Sequence, residues 1–483
     1  MTSEVPALKN ESCLVAIIGG GPAGLTAAFQ LTEQNIRPIV LEMDDKVGGL
    51  ARTEVFKGYR FDIGGHRFYT KVPEVQRLWE QMLGSDLLKV QRLSRIYYRG
   101  HFYHYPIEPL NALANLGVRE SSLTLFSYFR SKLFPYPIED NFEQWVSNRF
   151  GRRLYRMFFK TYTEKVWGIP CDLIHAEWAA QRIKGLSLFS AVREAIFPTN
   201  NLKSLIHEFY YPRLGPGMMW EQFRHVIEDG GGQVWTDTEI LMLKREGNYI
   251  KSVVSRSGGE EQEIAAQDFI STIPLSDLVF RINPPPPEEV IQAARGLHYR
   301  AFIIVELILN REKVFPDNWI YVHSPEVKVG RIQNFKNWSI EMVPDSRKTS
   351  LGMEFFCNED DEMWQMTDVA LIAHAVRELA VLKIADADEV EDGVVLRQPK
   401  AYPMYDPGYR ERVKIIQDYL SSFENLQTLG RNGMHRYNNQ DHSMLTGILA
   451  ARNLQGEKHD LWSVNTERSY YEEFVVESGD MPD

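Results

Sequence analysis

The chain has 483 residues, of which 44% are hydrophobic and 25% are charged, a composition typical of a globular enzyme with two or three interleaved domains. Its net charge of -11 argues against nucleic acid as a partner, because binding to phosphate backbones requires a positive field. The three cysteines, Cys13, Cys171 and Cys357, form no CxxC pair. This excludes a cysteine-based metal site and a disulfide framework, and it suits a reducing cytoplasm.

The sequence contains no segment with the features of a signal peptide or a transmembrane helix. Residues 1–11 are polar, and the longest aliphatic stretch, 302–309, is too short to span a bilayer and includes Glu306. We therefore predict a soluble cytoplasmic protein in which 302–309 is a buried strand. The basic, aromatic segment 128–134 is consistent with contact to a membrane surface, although packing between helices is the preferred interpretation.

The segment 14–42 predicts a dinucleotide-binding unit. An apolar strand, 14–18, leads into a glycine turn that fits G-x-G-x-x-G, then into an amphipathic helix, 25–33, and a second strand that ends at Glu42. The glycines permit a tight turn, the helix N-terminus can bind a pyrophosphate, and the acid can accept hydrogen bonds from ribose hydroxyls. The residues predicted to bind the dinucleotide here are Gly19, Gly21, Pro22, Ala23, Gly24 and Glu42.

Two further glycine pairs indicate which dinucleotide is bound. Gly48-Gly49 precedes Arg52, and Gly64-Gly65 precedes His66, so the backbone can approach a flat or anionic group closely at two more places. A simple NAD domain does not require them, whereas the first pair with its arginine is similar to the second diphosphate contact of FAD enzymes in the amine-oxidase and glutathione-reductase class. The alternative is that both pairs are ordinary turns. We predict non-covalently bound FAD, with all of these residues contributing to its site.

The remaining elements predict an α/β fold with a Rossmann-like FAD-binding domain, an inserted helical region and an antiparallel substrate-facing sheet. Apolar residues recur at helical spacing in 73–200, and a proline run at 284–287 separates two groups of strands. The predicted domains are a discontinuous FAD-binding domain of residues 1–80, 205–280 and 394–470, a helical substrate or cap region at 81–204, a substrate-facing sheet region at 284–393 and a tail at 471–483.

Four blocks of sequence resemble UDP-galactopyranose mutases of the longer, eukaryotic-like type, within the FAD-dependent superfamily of amine oxidases and protoporphyrinogen oxidases. The blocks are Gly64-Gly65-His66, Lys165 to Pro170 with Trp178 and Arg182, Trp319-Ile320-Tyr321 with Arg331, and Gly430 to Gly433 with Gln440 to Ser443. They occur in the same order as in that family between residues 14 and 455, so the resemblance covers most of the chain. The second and fourth blocks are more specific than the glycine motifs.

The resemblance implies a redox-neutral reaction in which N5 of reduced FAD is the nucleophile toward a sugar diphosphate, so that pyranose and furanose forms interconvert. It implies that Arg182 and Arg331 bind the departing diphosphate, since a planar guanidinium can bind two oxygens and keeps its charge, and that His66 lies beside the flavin. The other substrate-binding residues implied are Tyr105, Trp167, Trp319, Tyr321, Tyr405, Arg431 and Tyr437. An external reductant is needed for the flavin.

The same resemblance implies a second group of flavin contacts, at the N-terminus of a helix predicted for 444–452. The dipole of such a helix stabilises the negative charge of reduced flavin. The residues implied here are Asn439, Gln440, Asp441, His442 and Ser443.

Each assignment has a structural alternative. Arg182 would otherwise be a surface residue of a helix, and Arg331 an exposed strand charge. The tyrosines and tryptophans would be core packing. Asp441 or Ser443 would be a simple N-cap, a role that is compatible with a contact to the flavin.

Two segments depart from the family pattern. Tyr105-Pro106-Ile107-Glu108 stands where the family has a Tyr-Pro-Phe-Gln type segment against the nucleobase, so a different base, or a carrier that is not a nucleotide, becomes plausible. The loop 433–440 is shorter than in the family, which affects Tyr437 and Asn439. Thr163 also stands close to the position of a family asparagine.

Three functions are compatible with the sequence. The first is a mutase-like enzyme acting on a sugar diphosphate. The second is a true oxidoreductase of the amine-oxidase or protoporphyrinogen-oxidase type, which the altered base segment favours and the paired arginines argue against. The third is a flavin-bearing binding or assembly protein without turnover. The sugar, the base, the flavin reductant and any homo-oligomer are left open.

Overall fold

The computed structural model describes residues 13–105, 109–174, 176, 204–205, 208–465 and 473–474. Two large sheets and the helices packed on them make up most of these ranges. The strands are β1 Cys13–Ile18, β2 Pro38–Leu41, β3 Thr53–Phe56, β4 Tyr59–Asp62, β5 Leu87–Gln91, β6 Ser94–Tyr98, β7 His101–His104, β8 Ser204–Leu205, β9 Glu208–Pro212, β10 Gln233–Trp235, β11 Glu239–Glu246, β12 Tyr249–Ser257, β13 Glu260–Ser271, β14 Ile282–Asn283, β15 Tyr299–Leu309, β16 Trp319–Val322, β17 Arg331–Asn334, β18 Thr349–Cys357, β19 Val390–Pro403, β20 Leu426–Thr428 and β21 Glu473–Phe474.

The helices connect and cover these sheets, and a π-helical segment, Tyr155–Lys160, joins two of them. They are α1 Pro22–Thr32, α2 Pro73–Leu83, α3 Pro109–Leu133, α4 Phe142–Phe150, α5 Arg152–Leu154, α6 Thr161–Trp167, α7 Gly217–Asp229, α8 Leu275–Arg281, α9 Glu288–Arg295, α10 Glu362–Gln365, α11 Asp368–Val381, α12 Tyr409–Leu420 and α13 Gln440–Asn453.

The first sheet contains the N-terminal strands. Its order is β10-β2-β1-β13-β12-β11-β14, with β20 also paired to β13, and β1 runs parallel to β2 and β13. Residues 15–18 of β1 are all buried, as expected for a strand covered on both faces of a parallel sheet. Helix α1 packs against α13 at Gly447, where a Cβ would lie 2.5 Å from the Ala23 carbonyl oxygen.

The second sheet has the order β19-β15-β18-β17-β16-β6-β7. Its strand β15 is buried along almost its whole length, which confirms the prediction for 302–309. One face, with Ile303 and Val305, packs against α11. The opposite face, with Phe302 and Ile304, belongs to a separate cluster on the side of the glycine motifs. Both sheets are mixed: the first contains the antiparallel strands β11, β12 and β13 beside its parallel ones, and the second is antiparallel except for β6, which runs parallel to β16.

The region 81–204, predicted to be helical, begins with three strands instead. β6 and β7 form a hairpin at the edge of the second sheet, and β5 pairs with β9. Ile96, Tyr98 and Tyr103 share one core, whereas His101 and His104 are exposed. Ile96 and Tyr98, two positions apart, share this face, and Tyr97 between them packs in the core on the opposite face, an arrangement that favours a strand over a helix. The described helices of this region follow, from α3 to α6.

None of the helices in the described ranges is long and apolar enough to cross a membrane. Nor do the described residues contain a cluster of three or more histidine, cysteine or acidic side chains that could hold a metal ion. Cys171 and Cys357 are free and buried. Burial raises the pKa of both thiols to about 12, so both are protonated and unreactive at neutral pH.

Candidate active site

A cavity of about 830 Å³ is lined by residues of both sheets. The first sheet and its helices contribute the N-terminus of α1 and Glu42. The second contributes Trp319 and Tyr321 of β16, Arg331 of β17 and the end of β19. The predicted dinucleotide site and the predicted substrate residues therefore belong to one continuous chamber.

The first glycine turn opens the N-terminus of α1 onto this cavity. Gly21, Pro22 and Ala23 line it, and no described side chain caps the helix, so its first N–H groups are available to an anion. Gly24 does not line the cavity, because it faces the turn itself. A Cβ there would lie 2.0 Å from the Gly19 carbonyl oxygen, so glycine is required for the turn to close.

Glu42 is fixed at the end of β2 by two backbone hydrogen bonds. Its Oε2 accepts from the Gly20 N–H at 2.6 Å, and its Oε1 accepts from the Asp44 N–H at 3.0 Å. Burial raises the pKa of this carboxyl, and the two hydrogen bonds oppose the shift. A carboxylate held in this way beside the cavity fits the role of a ribose acceptor.

The second glycine pair packs against the first turn. The Gly48 N–H donates to the Gly20 carbonyl at 2.8 Å, and a Cβ on Gly49 would lie 3.4 Å from the Gly21 Cα. Arg52 donates to the Gly49 carbonyl at 3.0 Å and lines the cavity. Two close backbone turns, a helix N-terminus and a guanidinium thus surround one space. These residues fit the diphosphate of a flavin dinucleotide.

Gly64-Gly65 positions His66 at the cavity. Gly64 has a φ of 89°, in the left-handed region that favours glycine. The His66 Nδ1 lies 3.1 Å from the Gly64 carbonyl oxygen, so Nδ1 carries the proton and Nε2 is an acceptor. Burial, with a smaller contribution from the positive charges of Arg431 and Arg331, lowers the pKa of His66 to about 4. The imidazole is therefore neutral at neutral pH.

Arg331 is held by a buried carboxylate. Its Nε donates to the Glu354 Oε2 at 2.7 Å, and its Nη2 lies 2.5 Å from the same oxygen. The Gln333 Nε2 donates to the Glu354 Oε1 at 2.9 Å. Although burial opposes it, the Glu354 carboxylate raises the pKa of Arg331, so the guanidinium stays charged. The Arg331 side chain is 19% exposed and lines the cavity, which excludes the alternative of an exposed strand charge.

Arg431 is another guanidinium of the cavity, and no carboxylate of the described ranges pairs with it. It donates to the Ala401 carbonyl at 3.0 Å and to the Asn438 carbonyl at 3.3 Å. Its guanidinium carbon lies 4.9 Å from the ring centroid of Tyr402 and 4.1 Å from that of Tyr437, which is cation–π geometry. The protein therefore fixes this guanidinium without neutralising its charge, which remains available to an anion.

Aromatic side chains form a wall of the cavity. The ring centroids of Tyr105 and Tyr321 lie 4.7 Å apart, Tyr162 lies 5.6 Å from Tyr321, and Tyr162 stacks on His323 at 4.7 Å. Burial lowers the pKa of His323 to about 3, so the stack is uncharged. Trp319 lines the same wall, and its indole N–H has no hydrogen-bond partner in the described structure. The wall is apolar in bulk and carries a few donors.

Tyr405 supports the cavity without lining it. Its hydroxyl accepts from the Tyr437 N–H at 2.7 Å, and its ring stacks 6.4 Å from that of Trp167. Tyr437 and Trp167 both line the cavity. Tyr405 therefore positions its neighbours, and its direct contact with a substrate stays a prediction.

The helix predicted for 444–452 begins earlier, at Gln440 of α13. Asn439 is its N-cap and forms a capping box with His442, so neither Asp441 nor Ser443 has that role. The members of this group that line the cavity are Asn439, Gln440, Asp441 and Ser443. The positive end of the helix dipole therefore faces the cavity, where it favours an anion.

Most of the predicted site residues come together in this one cavity. Those that line it are Gly19, Gly21, Pro22, Ala23, Glu42, Gly49, Arg52, Gly64, Gly65, His66, Tyr105, Trp167, Trp319, Tyr321, Arg331, Arg431, Tyr437, Asn439, Gln440, Asp441 and Ser443. Gly24, Gly48, Tyr405 and His442 do not line it. Arg182, Trp178 and the segment 106–108 lie outside the described residues.

Several functional candidates were missed by sequence reasoning. They are Tyr162, His323, Gln333, Glu354 and Tyr402. Gln333 and Glu354 could have been found from the sequence. Gln333 is a polar residue two positions after Arg331 on a buried strand, so the two side chains lie on the same face. Glu354 is likewise an acid within the otherwise apolar strand β18. No sequence signal marked the aromatic residues as part of the site, because an aromatic side chain on a strand more often packs in the core than binds a ligand.

The fold and the glycine motifs match known proteins. The sequence pattern of the family described as flavin containing amine oxidoreductase matches residues 22–411. A curated relative, coproporphyrinogen III oxidase of Mycobacterium leprae, is 23% identical over 431 residues, which cover 83% of this chain and 90% of that protein.

Solved structures share the fold. Reduced UDP-galactopyranose mutase aligns with a TM-score of 0.82 and 21% identity, over 94% of this chain and 98% of that one. A putative protoporphyrinogen oxidase from Exiguobacterium sp. 255-15 aligns with a TM-score of 0.69 and 16% identity, over 93% and 100% respectively. The mixed α/β fold and the superfamily predicted from the sequence are thereby confirmed.

Proposed function

We propose that this chain, which belongs to the flavin-containing amine oxidoreductase family and has FAD as its cofactor, is a mutase-like enzyme. It would act on a sugar diphosphate without net redox change. The observation that carries the proposal is the pair of guanidiniums, Arg331 and Arg431, in a cavity continuous with the dinucleotide site. A departing diphosphate suits such cations, and an amine substrate does not. The propionate carboxylates of a porphyrinogen also pair with guanidiniums, so the flavin adduct described below separates these two functions.

The two guanidiniums differ in a way that suits a departing diphosphate. Arg331 is oriented by Glu354, so it can bind oxygens in a fixed geometry with little reorganisation. Arg431 has no carboxylate partner among the described side chains and supplies net positive charge. The hydroxyls of Tyr162, Tyr321 and Tyr437, which line the same cavity, are further donors to phosphate oxygens.

When bound in its reduced form, FAD supplies a nucleophilic nitrogen for the anomeric carbon. The chain's own groups provide the surroundings that this chemistry needs. His66 stays neutral and offers Nε2 as an acceptor, since its Nδ1–H is engaged by the Gly64 carbonyl. The N-terminus of α13 favours negative charge in the cavity, and the aromatic wall excludes water.

We further propose that the FAD is held non-covalently. The cavity lining contains no cysteine among the residues that the structure describes, and Cys171 and Cys357 are buried elsewhere with raised thiol pKa values. Backbone turns, Glu42 and Arg52 are the groups that would hold the cofactor.

The first test is mass spectrometry of the flavin. The protein is reduced anaerobically and incubated with cyanoborohydride and a panel of UDP-, GDP- and dTDP-sugars and a polyprenyl diphosphate sugar. A flavin whose mass has increased by that of one sugar is the expected result, and the mass identifies the sugar class. Unchanged flavin mass across the panel would contradict the proposal.

A matched pair of substitutions tests the diphosphate assignment. Arg331→Ala should remove about 2–4 kcal/mol of transition-state stabilisation, which lowers kcat/KM roughly 30- to 800-fold, and Arg182→Ala is expected to act in the same direction. The control is Arg95→Ala, which breaks a two-hydrogen-bond pair with Asp317 on the same sheet, at 2.9 and 2.6 Å, without touching the cavity. If Arg95→Ala lowered turnover as much as Arg331→Ala, the effect would be structural and the assignment wrong.

A second candidate is an oxidoreductase, favoured by the similarity to coproporphyrinogen III oxidase of Mycobacterium leprae. It predicts steady consumption of oxygen or of another electron acceptor with one substrate, and no dependence of turnover on prior reduction of the flavin. Acceptor consumption in stoichiometric proportion to product would establish it in place of the mutase reaction.

A further inference from the structure

Helix α3 is exposed on its more apolar side. After the break at Gly117, the residues that face the protein are Thr124, Tyr128 and Ser131, all buried. Phe126, Phe129 and Leu133 recur at helical spacing on the opposite side and are 67%, 62% and 74% exposed. An amphipathic helix of a globular protein normally has the reverse arrangement.

The side of α3 that faces the protein carries small polar residues because the helix packs closely on its neighbours. α3 lies against α4 and α5 so closely that a Cβ on Gly151 would lie 2.8 Å from the Tyr128 Cα. Small side chains at Thr124 and Ser131 permit this backbone contact. The large side chains of the outer side therefore contribute little to the packing of the described helices, apart from an edge contact between Phe129 and Tyr128.

The exposed apolar surface continues beyond the helix. Phe134 and Ile138, in the proline-rich segment that follows, are also largely exposed. The outer-side residues Phe126, Phe129, Leu133, Phe134 and Ile138 are called the α3 face below. Contiguous exposed apolar residues of this size indicate an interaction surface.

The charges around the α3 face are mostly basic. Of the two carboxylates that follow Ile138, Glu139 is paired with Arg149 and Asp140 is exposed. Arg119, Arg130 and Lys132 are exposed, and Glu120 is the one carboxylate between residues 118 and 138. Glu120 is already paired with Arg153. A basic and aromatic surface on a chain of net charge -11 is a local reversal of the protein's overall field.

We propose that the α3 face docks on an anionic lipid surface. Aromatic and leucine side chains enter the boundary between headgroups and acyl chains, while neighbouring arginines and lysines contact anionic headgroups. A second copy of the chain fits less well. A two-fold contact would bring this mostly basic face against a second copy of itself, with three exposed cations on each side and Asp140 as the one exposed carboxylate between residues 118 and 140.

The experiment is flotation of the FAD-loaded full chain with vesicles of two compositions, phosphatidylcholine alone and phosphatidylcholine with about 30% phosphatidylglycerol. Binding to the anionic vesicles alone is expected, and it should weaken as salt is added because exposed charges are screened. Replacing the three cations, as Arg119→Gln, Arg130→Gln and Lys132→Gln, should lower the partition coefficient about a hundredfold, at about fivefold for each basic side chain.

The apolar part is tested separately. Phe126→Ser, Phe129→Ser and Leu133→Ser together should abolish vesicle binding and change Tm little, since all three side chains are more than 60% exposed. Ile340→Ser with Val369→Ser is the matched control, because these residues are 76% and 78% exposed on other elements, and it should bind as the wild type does.

Three results would overturn the proposal. One is the absence of binding to anionic vesicles at low salt. A second is an equal loss of binding in the control variant. The third is a dimer or larger assembly that the serine variants dissociate, without vesicle binding, which would assign the α3 face to a second copy of the chain. Activity on a soluble substrate does not enter any of these readouts, so the proposal is independent of the proposed reaction.

Discussion

Glu354→Gln tests whether the buried acid beside the cavity exists to hold Arg331. Glu354 is fully buried and accepts two hydrogen bonds, one from the Arg331 Nε and one from the Gln333 Nε2, and the Arg331 Nη2 also lies within ion-pair distance of it. The substitution keeps the shape of the side chain and removes its charge. Arg331 is then a buried cation without its carboxylate, although it remains in the same strand.

The expected loss of unfolding free energy follows from the burial of the Arg331–Glu354 ion pair. Breaking a buried ion pair from one side costs roughly 3–5 kcal/mol, and because Arg331 is 19% exposed the lower end, about 3 kcal/mol, applies. At about 2.1 cal/mol/K per residue, the unfolding entropy of this chain is near 1 kcal/mol/K, so Tm should fall by about 3 °C. Free FAD is kept saturating and equal in all samples, since a bound ligand shifts Tm by itself.

A double-mutant cycle isolates the pair. Arg331→Met alone should cost a similar amount, because it leaves the Glu354 carboxylate buried without its cation. Arg331→Met with Glu354→Gln should cost less than the two single changes together, with a coupling of about 2–3 kcal/mol. Additive losses would show that the two side chains do not act as a pair, and the account of Arg331 as an oriented anion ligand would be refuted.

Three further predictions concern the buried Asp62, the first glycine turn and the attachment of the flavin. Burial raises the pKa of Asp62 from 3.8 to about 7, so the stability that Asp62 contributes is present below pH 3.8 and is lost as the pH rises through 7. In chemical denaturation, Asp62→Asn should therefore gain about 1.4 kcal/mol of unfolding free energy over the wild type for each pH unit between pH 4 and 7. A difference that does not depend on pH would contradict this. Gly21→Ala should fold, because a Cβ there meets no protein atom closer than 4.0 Å, but it should lack flavin absorbance. Gly24→Ala places a Cβ 2.0 Å from a carbonyl oxygen, so it should both lose flavin and lower Tm. Equal effects of the two variants would be evidence against a diphosphate at Gly21. Acid precipitation should release all of the flavin into the supernatant, and flavin retained on the protein would disprove non-covalent binding.

The dinucleotide end of the cavity could be predicted from the sequence because its signals are local. The turn at Gly19 to Gly24, the strands on either side and Glu42 lie within one short segment, and their geometry follows from glycine conformations and a helix N-terminus. His66 was found for the same reason, since its glycine pair precedes it directly. In each case neighbours in sequence are also neighbours in space.

The substrate end was less predictable because its contacts join distant parts of the chain. β6 pairs in parallel with β16, more than 200 residues later, and no local pattern shows that a hairpin will join that sheet. The support of Tyr437 by the Tyr405 hydroxyl is equally a matter of tertiary position. The helix start at Gln440 was missed for a smaller reason, since Asn439 and Asp441 are both good N-cap residues and only packing selects between them.

The position of β1 in the first sheet has a consequence for how the chain is made. Residues 15–18 are buried against parts that are synthesised much later, including Ile416 of α12 and Ile448 of α13. At about 5–20 residues per second, a ribosome needs roughly 20–90 s to reach residue 453 after residue 18 has been added. β2 and β13, the strands that pair with the edges of β1, are made before then, but the apolar faces of β1 lack part of their cover until α12 and α13 have been synthesised. Because incompletely covered apolar strands tend to pair with neighbouring chains, we expect the yield of folded protein to rise when synthesis is slowed or a chaperone is supplied.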